Sequence, residues 1–270
     1  LERAVRVGPY HYELFLPADP GCAKRHTQWF YFAVAGLRPG NTYQFCLMNF
    51  SKAESLFGNK GGCRPLFYST KRAAGWERIG SNIVYEPNSD GLFTLRFEFT
   101  VDDQAGDQGY FCPVFPYRFS DLQRDLAELE ADPLRKTRFA RSLLCRTRAG
   151  NRCDLLTVTT LVGCTPAQIL SRPAIVLTAR VHPAETNASW IMRGLIDFLT
   201  GPSLDAKLLR DAFMFKIVPM LNPDGVISGN SRCSHAGVDL NRMYACPSRT
   251  DHPTIWHLKR LLLTLRRERD

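Results

Sequence analysis

The run His182-Pro183-Ala184-Glu185 sets an imidazole and a carboxylate three residues apart, and in a tight turn that spacing lets both converge on one metal ion. Their nitrogen and oxygen donors suit zinc. The same four residues could equally make a polar loop or cap a helix, so the setting decides. The run follows Ala174-Ile175-Val176-Leu177-Thr178-Ala179, nearly continuously apolar, and precedes a segment of helical periodicity. The pair therefore sits where a buried strand opens into a helix, with Asn187 available as that helix's cap.

Two further segments carry side chains of matching chemistry. Leu221-Asn222-Pro223-Asp224-Gly225 joins turn-forming residues directly after another strand candidate; such a turn can aim a loop at the strand-end crevice, or be structural only. Gly237-Val238-Asp239-Leu240-Asn241-Arg242 comes shortly after Arg232. Asp239 can accept the second imidazole N–H of His182, fixing its tautomer and raising its basicity as a ligand. Asn241 and Arg242 can together hold a planar carboxylate, with the guanidinium fork supplying directional donors. Arg232 can stand beside a scissile carbonyl and stabilise the charge developing on its oxygen. Alone, each arginine reads as a solvated surface residue; their grouping favours the functional reading.

The elements that must position these residues alternate between strand and helix. Residues 155–159, 174–179 and 213–219 read as strands. Residues 187–200 read as a helix with Ile191, Leu195 and Leu199 on its apolar stripe, and Gly201-Pro202 stops it. A continuously apolar strand is expected where helices cover both faces of a sheet, which makes this region α/β with its functional groups in loops beyond the strand ends.

The preceding region has another character. Residues 10–16, 28–34, 42–49, 92–99 and 110–115 are short aromatic and β-branched runs, with turns at 36–41 and 88–91. They predict an antiparallel sandwich, because strands with one apolar face need a second sheet to cover it. No compact set of nucleophile, base and acid lies within it, so a supporting or partner-binding module is expected. The pattern changes near Pro116 to Ser120, where Ser120 can cap a helix beginning at Asp121 and carrying Leu122, Leu126 and Leu129 inward. Two domains follow, 1–117 and 118–270.

Charge is divided unevenly between them. Residues 1–117 hold 12 Lys and Arg against 11 Asp and Glu, whereas residues 118–270 hold 23 against 15, within a chain of net charge +9. The second region thus favours anionic partners. No basic stripe is joined to a nucleic-acid motif, so acidic peptide tails are the better fit and no specific nucleic acid is expected. Nine scattered cysteines without a CxxC pair point to buried free thiols and a cytoplasmic protein, not a disulfide scaffold. No signal peptide or membrane span stands out. Leu1 in place of Met, and a basic helical pattern at 261–270 without a stop, fit an excised segment.

These joined motifs resemble the cytosolic carboxypeptidases, a branch of the zinc metallocarboxypeptidases that shortens protein C-termini and, in characterised relatives, polyglutamate chains on tubulin. His182 to Trp190 is similar to the family's zinc segment, Pro219 to Val226 and Asp239 to Arg242 to its later active-site blocks. His26 to Phe32 and Gly75-Trp76-Glu77-Arg78 resemble the β-sandwich that precedes the peptidase domain.

The resemblance implies an N-terminal antiparallel β-sandwich, then the first part of an α/β metallocarboxypeptidase domain with a mixed central sheet. It implies Zn2+ held by His182 and Glu185, Asp239 orienting the histidine, Arg232 polarising the scissile carbonyl, and Asn241 with Arg242 receiving the substrate's terminal carboxylate. A second histidine ligand and a catalytic glutamate are expected well beyond Arg242; His235, His252, His257 and Glu268 are in the wrong context for those roles. Ala184 replaces a Gly common in this branch, which its methyl group tolerates only if the backbone needs no positive φ. Ser231 and Tyr244 stand where aromatic residues, the latter Trp, are often found. The expected activity is removal of C-terminal glutamate from acidic protein tails such as tubulin. A noncatalytic module binding acidic proteins and a zinc-dependent amino-acid deacylase are the alternatives.

Overall fold

The computed structural model describes residues 1–22, 26–57, 62–71, 75–101 and 108–267. They form two compact units, Leu1–Pro116 and Tyr117–Asp270. Glu268 lies outside the described residues.

The first unit holds β1 (Arg3–Gly8), β2 (His11–Phe15), β3 (Phe32–Ala35), β4 (Thr42–Phe50), β5 (Leu66–Ser69), β6 (Glu77–Arg78), β7 (Ser81–Pro87), β8 (Phe93–Thr100) and β9 (Gln108–Cys112). One sheet runs β1-β2-β4-β8-β7 and the other β3-β9-β5-β6. Alternation decides which faces meet: Tyr43, Phe45 and Leu47 of β4 and Leu95, Phe97 and Phe99 of β8 all turn into one core. There the Phe45 ring stands 5.1 Å from Phe111 of the second sheet, and Phe67 stands 4.6 Å from Phe99. The sandwich expected from the sequence is present, with one pairing that is not antiparallel. β2 and β4 run parallel, because the chain leaves the first sheet, adds β3 to the second, and returns in the same direction.

The second unit contains α1 (Phe119–Ala131), β10 (Phe139–Arg146), β11 (Arg152–Val158), α2 (Pro166–Ser171), β12 (Ala174–Thr178), α3 (Thr186–Thr200), α4 (Leu204–Ala212), β13 (Met214–Val218), α5 (Pro223–Ser228) and α6 (Pro253–Arg267). Its sheet is mixed, β10-β11-β13-β12, and only the β12–β13 pair is parallel. The α1 helix starts two residues before the expected Asp121. Arg118 stands at its N-cap, and Asp121 accepts the Arg118 backbone N–H at 2.8 Å, so the acid rather than Ser120 satisfies the helix start.

Two further expectations are corrected. Asn187 lies inside α3, whose N-cap is Glu185. The inner face of α3 is Ser189, Met192, Ile196 and Leu199, while Ile191 is 70% exposed; the stripe is turned by one position from 191/195/199. β12 is the outermost strand of this sheet among the described residues, and Ile175 and Leu177 pack against one core cluster while Val176 packs against another, so its apolar run is met on both faces. No helix among the described residues is long and apolar enough to cross a membrane.

Parallel β12 and β13 end side by side, and the loops that leave them are joined at once. Ala179 N–H donates to Val218 O at 3.1 Å and Leu221 N–H to Ala179 O at 2.9 Å. Two of the chemistry-bearing segments therefore start from one strand-end crevice.

Candidate active site

Asn222 shapes the second of these loops. Its Oδ1 accepts the Gly225 N–H at 3.0 Å, capping α5, with Pro223 in the first turn where its missing N–H costs nothing. The segment is thus a helix start rather than a plain turn. Asn222 Nδ2 reaches the Val181 carbonyl at 3.2 Å, tying α5 to the His182 loop. Asp224 points away from that loop, into Thr147 Oγ1 at 2.5 Å, Ala149 N at 3.0 Å and Asn151 Nδ2 at 2.9 Å. It secures the β10–β11 turn.

The His182 loop is held from a third side, where Ala184 N–H donates to Ser231 O at 3.2 Å. Ala184 is not among the residues of positive φ, so its methyl group meets no backbone objection. Arg180, which does have positive φ (56°), is buried and donates from Nε to Pro183 O at 2.8 Å and from Nη1 to Ser189 Oγ at 2.8 Å. Burial pulls its pKa down to about 10, with Tyr117 and Glu185 acting the other way, so it stays protonated at neutral pH. Sequence reading passes over this residue. Its signal is a charge inside an otherwise apolar stretch, between Ala179 and Val181.

At the centre His182 is 7% exposed. Its Nδ1 faces Glu185 Oε1 at 3.1 Å and its Nε2 faces Asp239 Oδ1 at 3.1 Å. Asp239 also accepts the Asn241 backbone N–H at 2.9 Å on Oδ1 and Arg232 Nε at 2.8 Å on Oδ2. Burial works against charge on Asp239, but the Arg232 guanidinium, the Asn241 N–H and the His182 ring outweigh it and hold the carboxyl below its ordinary range. One ionised carboxylate thus links the histidine to the arginine.

That link sets the histidine's donor atoms. With the ring proton on Nε2, directed at Asp239, the Nδ1 lone pair faces a carboxylate oxygen of Glu185. Two lone pairs at 3.1 Å repel unless a proton or a metal ion lies between them. Two zinc ligands at about 2.0 Å and a tetrahedral angle are about 3.3 Å apart, so the donor set fits the ion. Among the described residues no third His, Cys, Asp or Glu atom stands within ligating distance of both.

Of the residues singled out by sequence, the structure gathers His182, Glu185, Asp239 and Arg232 into one hydrogen-bonded string. Asn241 and Arg242 occupy the short 3-10 turn that Asp239 caps, and both are exposed. His252 lies apart from this string; its Nδ1 accepts the Ser248 N–H at 3.1 Å just before α6. The nine cysteines are free, Cys145 and Cys153 facing each other across the β10–β11 pair.

Comparison with known proteins gives two adjoining family matches, the cytosolic carboxypeptidase N-terminal domain over residues 2–111 and zinc carboxypeptidase over residues 136–259. Cytosolic carboxypeptidase 3 of Bos taurus is 43% identical, and cytosolic carboxypeptidase 2 of Xenopus tropicalis 46% identical, each along 100% of this chain. The chain spans 27% and 28% of their respective lengths. Among solved structures, a metallo-carboxypeptidase of Pseudomonas aeruginosa in complex with (2-guanidinoethylmercapto)succinic acid superposes with TM-score 0.75 at 25% identity, over 96% of this chain and 63% of that one. With both halves matched in order, and relatives of this identity aligned throughout, the chain belongs to the zinc carboxypeptidase family, in its cytosolic carboxypeptidase branch.

Proposed function

We propose that this chain carries the metal-binding and substrate-anchoring part of a zinc metallocarboxypeptidase that removes C-terminal amino acids, with glutamate on acidic protein tails such as tubulin as the substrate class. The observation that carries the reading is the Asp239 carboxylate, shared between His182 Nε2 and Arg232 Nε while His182 Nδ1 faces Glu185. The excess of Lys and Arg in residues 118–270 supports the acidic substrate. The relatives' names and the free cysteines together imply the cytoplasm.

In this reading His182 and Glu185 hold the ion. When bound, zinc polarises the scissile carbonyl and lowers the pKa of water beside it. Asp239 keeps the His182 proton on Nε2 and orients the ring. Through its other oxygen it steers Arg232 toward the carbonyl oxygen, where the guanidinium offsets developing negative charge. Arg242, with Asn241, receives the free C-terminal carboxylate; left unpaired by an internal peptide bond, they select for chain ends. Two protein ligands are one fewer than the three of catalytic zinc sites, so the isolated chain should bind zinc weakly.

The test is metal analysis of the chain after dialysis against zinc, beside binding and cleavage of a peptide ending in oligoglutamate. Zinc retention should fall in Glu185→Gln and peptide affinity should fall in Arg242→Ala. Zinc retention or cleavage indifferent to Glu185→Gln would sink the site, and zinc-independent peptide binding without cleavage would favour a noncatalytic module.

A further inference from the structure

Arg180 is 3% exposed, yet no carboxylate among the described residues pairs with it at ion-pair distance. Its guanidinium is spent on neutral acceptors: Nε on Pro183 O at 2.8 Å, and Nη1 on Tyr117 O at 3.1 Å and Ser189 Oγ at 2.8 Å. Burying a charge this way is expensive. Its backbone is also held at φ 56°, a conformation glycine adopts freely and arginine does not. Both costs fall at one residue, two positions before His182.

The three acceptors explain the position. Tyr117 O belongs to the segment leading into α1, Pro183 O to the middle of the His182–Glu185 turn, and Ser189 Oγ to the first turn of α3. The left-handed residue at the end of β12 directs the side chain back across its own loop, and a planar fork reaches acceptors in different directions that one ammonium cannot span. Glu185 is the N-cap of α3, so fixing Pro183 O against Ser189 fixes the helix start from which its carboxylate projects.

We propose that Arg180 is the positioning residue of the His182–Glu185 pair, clamping the turn so that His182 Nδ1 faces the Glu185 carboxylate. It touches neither donor atom and acts through the Pro183 carbonyl. The inference deepens the metal reading given above and rests on it, so its test has one arm that needs no metal.

In that arm the 270-residue chain is labelled with 15N at histidine and the His182 ring nitrogens are followed by NMR, with circular dichroism as the control for folding. Wild type should give a single set of ring 15N shifts, with Nε2 protonated toward Asp239. Arg180→Met should give a mixture, and Arg180→Lys should restore part of the wild-type signal. In the second arm Co2+ is titrated as the probe through its visible absorption. Arg180→Met should weaken Co2+ about 10- to 100-fold, as loss of an orienting partner does at other sites, with Arg180→Lys in between. Wild-type ring shifts and Co2+ affinity within about twofold of wild type in a folded Arg180→Met overturn the proposal. Should that variant not fold, Ser189→Ala and Arg180→Lys decide, and wild-type signals in both overturn it equally. If wild type shows the single set of ring shifts, lost in Arg180→Met, but no Co2+ binding that depends on Glu185, the metal reading falls and the clamp stands.

Discussion

Pro183 presses against Gly225. A Cβ built on residue 225 would lie 2.5 Å from Pro183 Cγ and 2.6 Å from the Cys233 carbonyl oxygen, closer than real Cβ atoms come. The histidine loop, the start of α5 and the strand of chain before Asp239 meet at a point with no room for a methyl group. Gly225→Ala must move backbone, since the Cys233 carbonyl cannot swing aside, and should cost about 1–3 kcal/mol. Urea unfolding measures it. An unchanged midpoint would mean the loops yield freely, and the site would lose its claim to rigidity.

Asp239 can be tested separately from the fold, because it is partly accessible and its main partners are His182 and Arg232. Asp239→Asn keeps the shape but removes the charge shared by the two, and its amide N–H2 group would face a donor. Zinc affinity should drop about 10- to 100-fold with little change in melting temperature. Competition against a chromophoric chelator reads the affinity, and equal values for the variant and wild type would detach Asp239 from the metal pair.

The acid limb of the stability curve should depend on Asp154, whose side chain is 0% exposed. Burial opposes its charge, but Arg141 Nε at 3.1 Å, Gln123 Nε2 at 2.9 Å and Arg152 Nη2 at 3.0 Å prevail, and the folded pKa lies below the ordinary value. A depressed carboxyl contributes stability that is complete above the unfolded pKa, about 4, and is lost as pH falls through the lower folded value. Unfolding free energies between neutral pH and about pH 3 should therefore slope less steeply in Asp154→Asn than in wild type. Removing the group outright in Asp154→Ala should cost about 1–3 kcal/mol, because Arg141 keeps Glu130 at 2.9 Å but loses its buried acceptor.

The donors of the site are legible in the sequence because short spacing and strand-end position suffice to bring His182 and Glu185 together. Asp239 and Arg232 are legible as residue types within a motif. What the sequence hides is held by long-range or backbone geometry. Arg180 gives no periodic signal, and its left-handed φ is visible only in coordinates. Asp224 looks like one more turn residue, yet its partners Thr147 and Asn151 lie more than 70 positions away. β10 escapes notice because Arg141, Ser142 and Arg146 interrupt its apolar alternation, and only the Asp154 and Glu130 contacts make Arg141 acceptable there. β1 and β7 are edge strands with mostly exposed side chains, so neither carries the alternation that marks β4 and β8.

The orientation of α3 gives the most economical check on the packing behind the site. Spacing of 191, 195 and 199 and spacing of 192, 196 and 199 both suit a helix, so periodicity alone cannot choose between them. Polar groups choose. Ser189 must turn inward to meet Arg180, and a helix with 189 inside places 192 and 196 on the same face and sends 191 to solvent. Ile196 is 7% exposed and packs with Leu126, Phe215 and Ile217, whereas Ile191 is 70% exposed. Ile196→Ala should cost about 2–5 kcal/mol and Ile191→Ala no more than about 0.5 kcal/mol, both from urea unfolding. The reverse order would put Ile191 in the core, turn Ser189 away from Arg180, and remove the support assigned to the His182 turn.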